Sequence, residues 1–168
     1  MDAYADLVSR SAYDRGMGAL LGTTTRVHRI VDRLSSGRLG RHFPGGAQVV
    51  WIYTRGRRTG TWRRYPLLTA RESDTTWVIA GSNSGQARVP GWVYNISAYD
   101  QGWIDINGEH WSVRFEEVEG ADRDAMYGLL VAEWKAYAAY ARRSPRYIPV
   151  FRIHLLDQVP ADALPPHT

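Results

Sequence analysis

The stretch Ala47-Gln-Val-Val-Trp-Ile-Tyr-Thr54, Arg55-Gly-Arg-Arg-Thr-Gly60, Thr61-Trp-Arg-Arg-Tyr-Pro-Leu-Leu68 decides the fold. Its first run is rich in Val, Ile and aromatic residues, which suit a pleated, buried surface, and Ala47 to Thr54 reads as a strand. Arg55 to Gly60 reads as a turn, and Trp62 to Ala70 as a second strand. Because the connection is far too short for a crossover, the two strands must run antiparallel.

Working outward, Thr75 to Gly81 reads as a third strand, expected to be the antiparallel neighbour of the second. Gly81 to Arg88 is a polar loop of small residues, and Pro90 suits the first turn of a short helix reaching about Ala98. Trp103 to Ile106 and Glu109 to Val118 flank Asn107-Gly108, a dipeptide suited to a type I′ hairpin turn. Helical spacing returns from Ala121 to about Ala141, and Ile148 to Leu156 alternates as a last strand. Toward the N-terminus, Met17, Leu20, Leu21, Thr24, Val27, Ile30, Val31 and Leu34 mark an amphipathic helix from about Arg15 to Leu34. Ser35-Ser36-Gly37, Gly40 and Pro44-Gly45-Gly46 end it. The expected architecture is α+β: about six antiparallel strands forming a small barrel, with an N-terminal helix, a short helix after the third strand and a longer one before the last. A single domain is expected over 1–156, with 1–46 as N-terminal helix and loop and 157–168 as an extended tail.

A chain of 168 residues, 44% hydrophobic and 23% charged, has room for one globular core. It contains no cysteine, so disulfides, thiolate nucleophiles and Cys-ligated metals are excluded. Met1 to Tyr13 lacks the layout of a signal peptide, and no apolar run approaches the ~18 residues of a membrane span. A cytoplasmic location is the expectation, and the Arg26, Arg29 and Arg33 face of the first helix is a candidate contact to an anionic membrane surface. The net charge is +4, and every basic residue except Lys135 is arginine, the side chain whose planar fork matches phosphate and carboxylate. Distribution matters more than total: Arg55, Arg57, Arg58, Arg63 and Arg64 crowd together without an acid, whereas Asp100 to Asp124 is mostly acidic. That segregation points to one anion-binding patch.

The two-glycine turn Gly56-Arg57-Arg58-Thr59-Gly60 lets backbone N–H groups approach an anion, and its arginines supply forked donors. It lacks the Lys-Ser/Thr ending of a Walker loop and opens no helix, so it is no nucleotide P-loop. A basic hairpin kept soluble by its charges is the alternative, as is a single-stranded nucleic-acid platform with interleaved Trp51, Tyr53, Trp62 and Tyr65, although nucleic acid is not the expected partner. The five histidines show no metal-ligand spacing, and no metal site is expected. Ser82 has no evident His partner, and Gly81-Ser82-Asn83 is not a hydrolase elbow. Trp134, Tyr137 and Tyr140 recur every three residues, as a core stripe or a cavity wall.

Several of these motifs together resemble the deazaflavin (F420)-dependent nitroreductase family of split β-barrel oxidoreductases. Gly56 to Gly60 matches its Gly-Arg-Lys/Arg-Ser/Thr-Gly, Arg63 and Pro66-Leu67 the pattern that follows, Gly81-Ser82 with Gly85 its Ala/Gly-Ser loop, and Pro90-Gly91-Trp92 with Asn95 its Pro-x-Trp-x-x-Asn. Gly37-Arg38-Leu39-Gly40, the spaced aromatics and Ile148-Pro149-Val150 extend the likeness from about Gly37 to Leu156. The chain departs from the pattern at Asn83-Ser84, Tyr65 and Trp134. The resemblance implies coenzyme F420 as cofactor, with Arg57, Arg58, Thr59 and Arg63 at its phosphate and oligoglutamyl tail. It also implies Tyr65 and Pro66 along the ring, Gly81, Ser82 and Asn83 at the deazaflavin edge, and Trp92 and Asn95 in the pocket wall. Trp134, Tyr137 and Tyr140 fall on the substrate side, with Tyr137 or Tyr140 as proton-delivering groups. The implied reaction is hydride transfer from reduced F420 to a small electron-poor acceptor such as a quinone, nitroaromatic or activated enone; FMN or haem on the same fold is the alternative. Oligomeric state stays open at this stage.

Overall fold

The computed structural model describes residues 47–166; the expected N-terminal helix and its basic face lie outside the described residues. Among the described residues, seven strands form one antiparallel sheet: β1 (Val49–Arg55), β2 (Trp62–Leu68), β3 (Ala70–Arg71), β4 (Thr76–Ala80), β5 (Gln101–Ile106), β6 (Glu109–Val118) and β7 (Val150–Val159). Their order across the sheet is β2-β1-β5-β6-β7-β4-β3. The count exceeds the expected six because the second predicted strand is two. It breaks at Thr69, whose buried hydroxyl donates to the Val78 carbonyl at 2.8 Å. One continuous segment therefore supplies both edges of the sheet, β2 pairing with β1 and β3 with β4. The third predicted strand, β4, is accordingly not the neighbour of β2; it pairs with β3 and β7.

Alternation along the strands builds a core on each face. Ile52, Ile79, Ile104, Val113, Phe115, Phe151 and Ile153 point to one side, where α1 (Gly91–Ala98) inserts Trp92, Val93 and Ile96 among them. Six strands contribute to this cluster, counting Tyr65 and Leu67 of β2, so the sheet curls around it. On the opposite side, Ala70, Val78, Ala80, Val118 and Val150 are covered by α2 (Gly120–Glu133) and α3 (Ala136–Arg143) through Met126, Tyr127, Leu130 and Tyr137. Arg152 fastens α2 there, reaching Glu72 with two nitrogens and Asp122 at 2.8 Å.

The expected longer helix is broken. Trp134 leaves the helical conformation at φ −142 and ψ 101 and ends α2, and α3 begins two residues later. The 5–6 hairpin follows expectation: Asn107 and Gly108 both have positive φ, 56 and 91, as a type I′ turn requires. The last strand continues three residues beyond the expected Leu156, to Val159, because Trp111 of β6 pairs with Gln158 and His110 with Val159. Among the described residues, no helix is long and apolar enough to cross a membrane.

Candidate functional site

The β1–β2 turn is fixed mostly by its own backbone. Gly56 N donates to the Thr61 carbonyl at 2.9 Å and Gly60 N to the Gly56 carbonyl at 2.7 Å. Thr61 N reaches the Thr59 hydroxyl at 3.3 Å, and Arg57 N reaches Oδ1 of Asn95 at 3.2 Å. The expected cradle of backbone donors is therefore largely occupied, and anion recognition falls to side chains. Gly60 has φ +70, a conformation costly for other residues. Asn95 is buried, and its amide nitrogen donates to Thr54 at 3.1 Å. It locks α1 to both β1 and the turn, a bracing position within the wall.

Strand pairing sorts the five arginines. Thr54 pairs with Arg63 and Tyr53 with Arg64, so Arg63 shares the α1 side of the ribbon and Arg64 the opposite one. Arg64 lies 3.9 Å over the Trp51 ring and bonds Asp105 at 3.3 Å. It is half-buried structure. Arg57, Arg58 and Arg63 are exposed and make no ion pair among the described residues; Arg57 lies 4.8 Å over Tyr94. Tyr65 pairs with Ile52 and packs on the inner core, whereas Pro66 pairs with Trp51. These two neighbours face opposite ways and do not share one pocket wall. Trp51 and Tyr53 are only 5% and 2% exposed, which removes the stacking platform that nucleic acid would need. Trp92 is core, packed edge-on against Phe151 with centroids 5.9 Å apart.

The Gly81–Arg88 loop is the second half of the site. Asn83, Ser84 and Gly85 have consecutive positive φ values of 46, 55 and 79. A Cβ on Gly85 would sit 2.9 Å from the Tyr140 carbonyl oxygen, so α3 lies directly on this loop. Asn83 braces it, its amide nitrogen donating to Oε1 of Gln86 at 3.0 Å and to the Arg88 carbonyl at 2.9 Å. Arg146 holds it from below: Nη2 donates to the carbonyls of Gly81 at 2.8 Å and Ser82 at 3.2 Å, and Nε to that of Gln86 at 3.1 Å. Burial without a carboxylate partner pushes the Arg146 guanidinium below its usual value, the nearby Tyr94 opposing this, and the group stays charged. Tyr94 thus interacts both with Arg57 of the turn and with Arg146, which braces the loop.

Of the predicted aromatics, Tyr137 is 5% exposed and belongs to the outer core. Its hydroxyl donates to the Leu68 carbonyl at 3.4 Å, and Ser82, also buried, hydrogen-bonds it. Burial above all drives its phenol well above the ordinary range. Tyr140 packs edge-on against Tyr137 at 5.6 Å and is half-buried. Trp134, at the break between α2 and α3, packs against the same cluster. The fold therefore gathers Ser82, Tyr137, Tyr140 and Gly85 in one place and Arg57, Tyr94 and Asn95 in another.

One donor here has no acceptor. The Arg88 carbonyl fixes which end of the Asn83 amide points at Gln86, and Asn83 in turn fixes the Gln86 carboxamide with Oε1 inward. Gln86 Nε2 is left buried and unpaired in a side chain 6% exposed, a state costing about 1–3 kcal/mol unless an acceptor arrives. Unpaired guanidinium groups on the turn and a carbonyl-seeking donor on the loop suit a ligand with an anionic tail and a carbonyl-edged ring. The sequence of the F420H(2)-dependent quinone reductase family matches residues 24–154. The chain belongs to that family. It is 32% identical over 128 residues to the F420H(2)-dependent quinone reductase of Mycobacterium tuberculosis (strain ATCC 25618 / H37Rv), an alignment covering 74% of this chain and 85% of the relative. A solved F420-H2 dependent reductase, FDR-A, superposes with a TM-score of 0.59 at 26% identity, over 63% of this chain and 93% of that one. HutZ, the heme storage protein of Vibrio cholerae, shares the fold at 9% identity and TM-score 0.51, over 74% of this chain and 89% of its own. The family's cofactor is F420, and its members are oxidoreductases.

Sequence reading missed Arg146, Gln86 and Tyr94. Arg146 sits in a short Ser-Pro-Arg-Tyr connection with no periodic pattern, and Gln86 owes its significance to a hydrogen-bond chain that no spacing encodes. Tyr94 stands out only in the structure, as an exposed aromatic between the buried Val93 and Asn95.

Proposed function

We propose that this protein is an F420H2-dependent reductase of a quinone-type acceptor, with nitroaromatics and activated enones as further substrates. The observation that carries the reading is the set of unpaired arginines on a turn locked by Asn95, facing a braced loop with an unsatisfied buried donor. In a cofactor enzyme the protein supplies binding, orientation and electrostatics. Reduced F420 supplies the hydride that the acceptor takes up.

Arg57, Arg58 and Arg63 hold the phosphate and tail carboxylates with charge-assisted bonds, and the Thr59 hydroxyl adds a donor. Gln86 Nε2 and the backbone N–H of Ser82 would donate to the carbonyl edge of the ring. Tyr65, on the α1 side, is the ring-facing member of the Tyr65-Pro66 pair, while Trp92 and Asn95 support the wall from behind. Tyr140 and Trp134 border the acceptor side. Proton delivery belongs to Tyr140, since the Tyr137 hydroxyl is buried on the Leu68 carbonyl and serves to orient Ser82.

The deciding experiment is an anaerobic titration of F420 into wild type and into Arg57→Ala combined with Arg58→Ala. Both side chains are exposed, so the variant should fold normally and lose at least about tenfold in affinity. Unchanged affinity in the variant, or no binding to wild type below millimolar F420, would refute the proposal.

A further inference from the structure

We propose that a second pocket, separate from the cofactor site, binds a small planar aromatic ring carrying one carboxylate. A cavity of about 420 Å³ opens between the end of β1 and the start of β5, lined among others by Arg55, Trp62, Tyr99, Asp100, Gln101 and Trp103. That volume lies in the range of small-molecule sites. None of the residues assigned above to F420 lines it.

Strand register sets which side chains enter the cavity. Arg55 pairs with Trp62 and Tyr53 with Trp103, so alternation places all three lining side chains on the face of the ribbon opposite Thr54 and Arg63, and the C-terminal end of α1 closes the cavity through Ala98 and Tyr99. Arg63 and Thr54, one residue along each strand, face α1. The same ribbon thus presents one cationic set on each side.

The walls define the ligand's chemistry. Trp62 and Trp103 pack edge to face, with centroids 4.6 Å apart and planes at 73°, and both are half-buried. Two indoles held at right angles offer a flat guest one face to stack on and one edge to meet. Next to Trp103, β5 approaches β1 so closely that a Cβ on Gly102 would collide with the Tyr53 carbonyl oxygen and the Phe115 ring. That close approach holds the strand carrying Trp103 tightly against β1.

Arg55 supplies the anchor. Its guanidinium lies 5.1 Å over the Tyr99 ring, which orients it, and no acid pairs with it among the described residues. A cation already pre-oriented on an aromatic shelf loses little side-chain entropy on meeting a carboxylate. Asp100 borders the same cavity and opposes negative charge there, so the single cation Arg55 can compensate one carboxylate on the guest but not two. A planar ring satisfies the indoles, and its single carboxylate satisfies Arg55. The inference stands apart from the F420 reading, since it uses none of that site's residues.

The test is calorimetric titration of the full chain, without cofactor, using indole-2-carboxylate as probe, with the side-chain N–H signals of Trp62 and Trp103 followed by NMR. Saturable binding should shift both signals. Neutral indole and non-planar cyclohexanecarboxylate should each bind at least tenfold more weakly, and so should indole-2-carboxylate to Arg55→Ala. Trp103→Phe, which keeps the packing, should weaken binding severalfold. No saturable binding by wild type at millimolar probe, or equal affinity in Arg55→Ala or for cyclohexanecarboxylate, overturns the proposal. So does loss of binding in Arg57→Ala/Arg58→Ala with Arg55→Ala unaffected, which would move the probe to the cofactor site.

Discussion

Gln86 shows how a single side chain acquires a role through its neighbours. Its backbone N–H and its Oε1 are engaged within the loop, its carbonyl accepts from Arg146, and only Nε2 lacks a partner. A group left so in the free protein is a group that binding can satisfy. Gln86→Leu removes the unpaired donor and the bond from Asn83 together, so the two effects on the free protein offset. Its thermal midpoint should stay within a few degrees of wild type while F420 affinity falls about tenfold, the value of one donor to a carbonyl. A lower midpoint with unchanged affinity would show that Gln86 serves the fold alone. The arginines teach the complementary lesson. Five of them look equivalent as letters, yet Arg64 is bound to Asp105 and Trp51 while Arg57, Arg58 and Arg63 face solvent. The patch was legible in the sequence; which members were free was not, since that depends on register and on an acid forty-one residues away.

At the scale of elements, the Gly81–Arg88 loop and α3 form one unit. Arg146 joins the loop to the start of β7 through four carbonyls, and Gly85 lets α3 rest on the loop backbone. Arg146→Ala should lower stability by about 2–3 kcal/mol in chemical denaturation, from the loss of several charge-assisted bonds. It should also reduce kcat/KM more than tenfold, because Ser82 and Gln86 lose their fixed positions. Arg146→Lys should recover little of either, since an ammonium cannot span the fork. A lysine variant with wild-type kinetics would show that charge, not geometry, is what the loop requires. The break between α2 and α3 belongs to the same scale. Apolar spacing ran unbroken from Ala121 to Ala141, but the first part packs on β4, β3 and β7 and the second on the loop. A straight helix cannot bury one stripe against two differently placed surfaces, and the chain turns at Trp134.

For the molecule as a whole, the sheet carries a core on each face, and the outer one encloses two phenols. Tyr127 donates its hydroxyl to the Tyr137 carbonyl at 2.8 Å, and burial pushes its phenol from 10.0 up to about 12; Tyr137 is displaced the same way. A folded state that holds these protons more tightly than the unfolded chain has their full contribution below pH 10 and loses it as pH rises from 10 toward 12. Denaturation midpoints measured from pH 8 to 11.5 should therefore fall steeply above pH 10, and Tyr127→Phe should flatten that fall. A variant curve parallel to wild type would place the alkaline loss elsewhere. The sequence by itself determined the antiparallel strands, the Asn107-Gly108 turn, the arginine patch and the family, because each is written in neighbouring residues: alternation, turn chemistry, motif spacing. Only the tertiary structure decided that Thr69 splits one predicted strand across both edges of the sheet, that Tyr65 and Pro66 face apart, and that Arg146 braces a loop some sixty residues before it. Those outcomes follow from which distant backbone carbonyls and side chains meet when the sheet curls, and local patterns carry no record of such meetings.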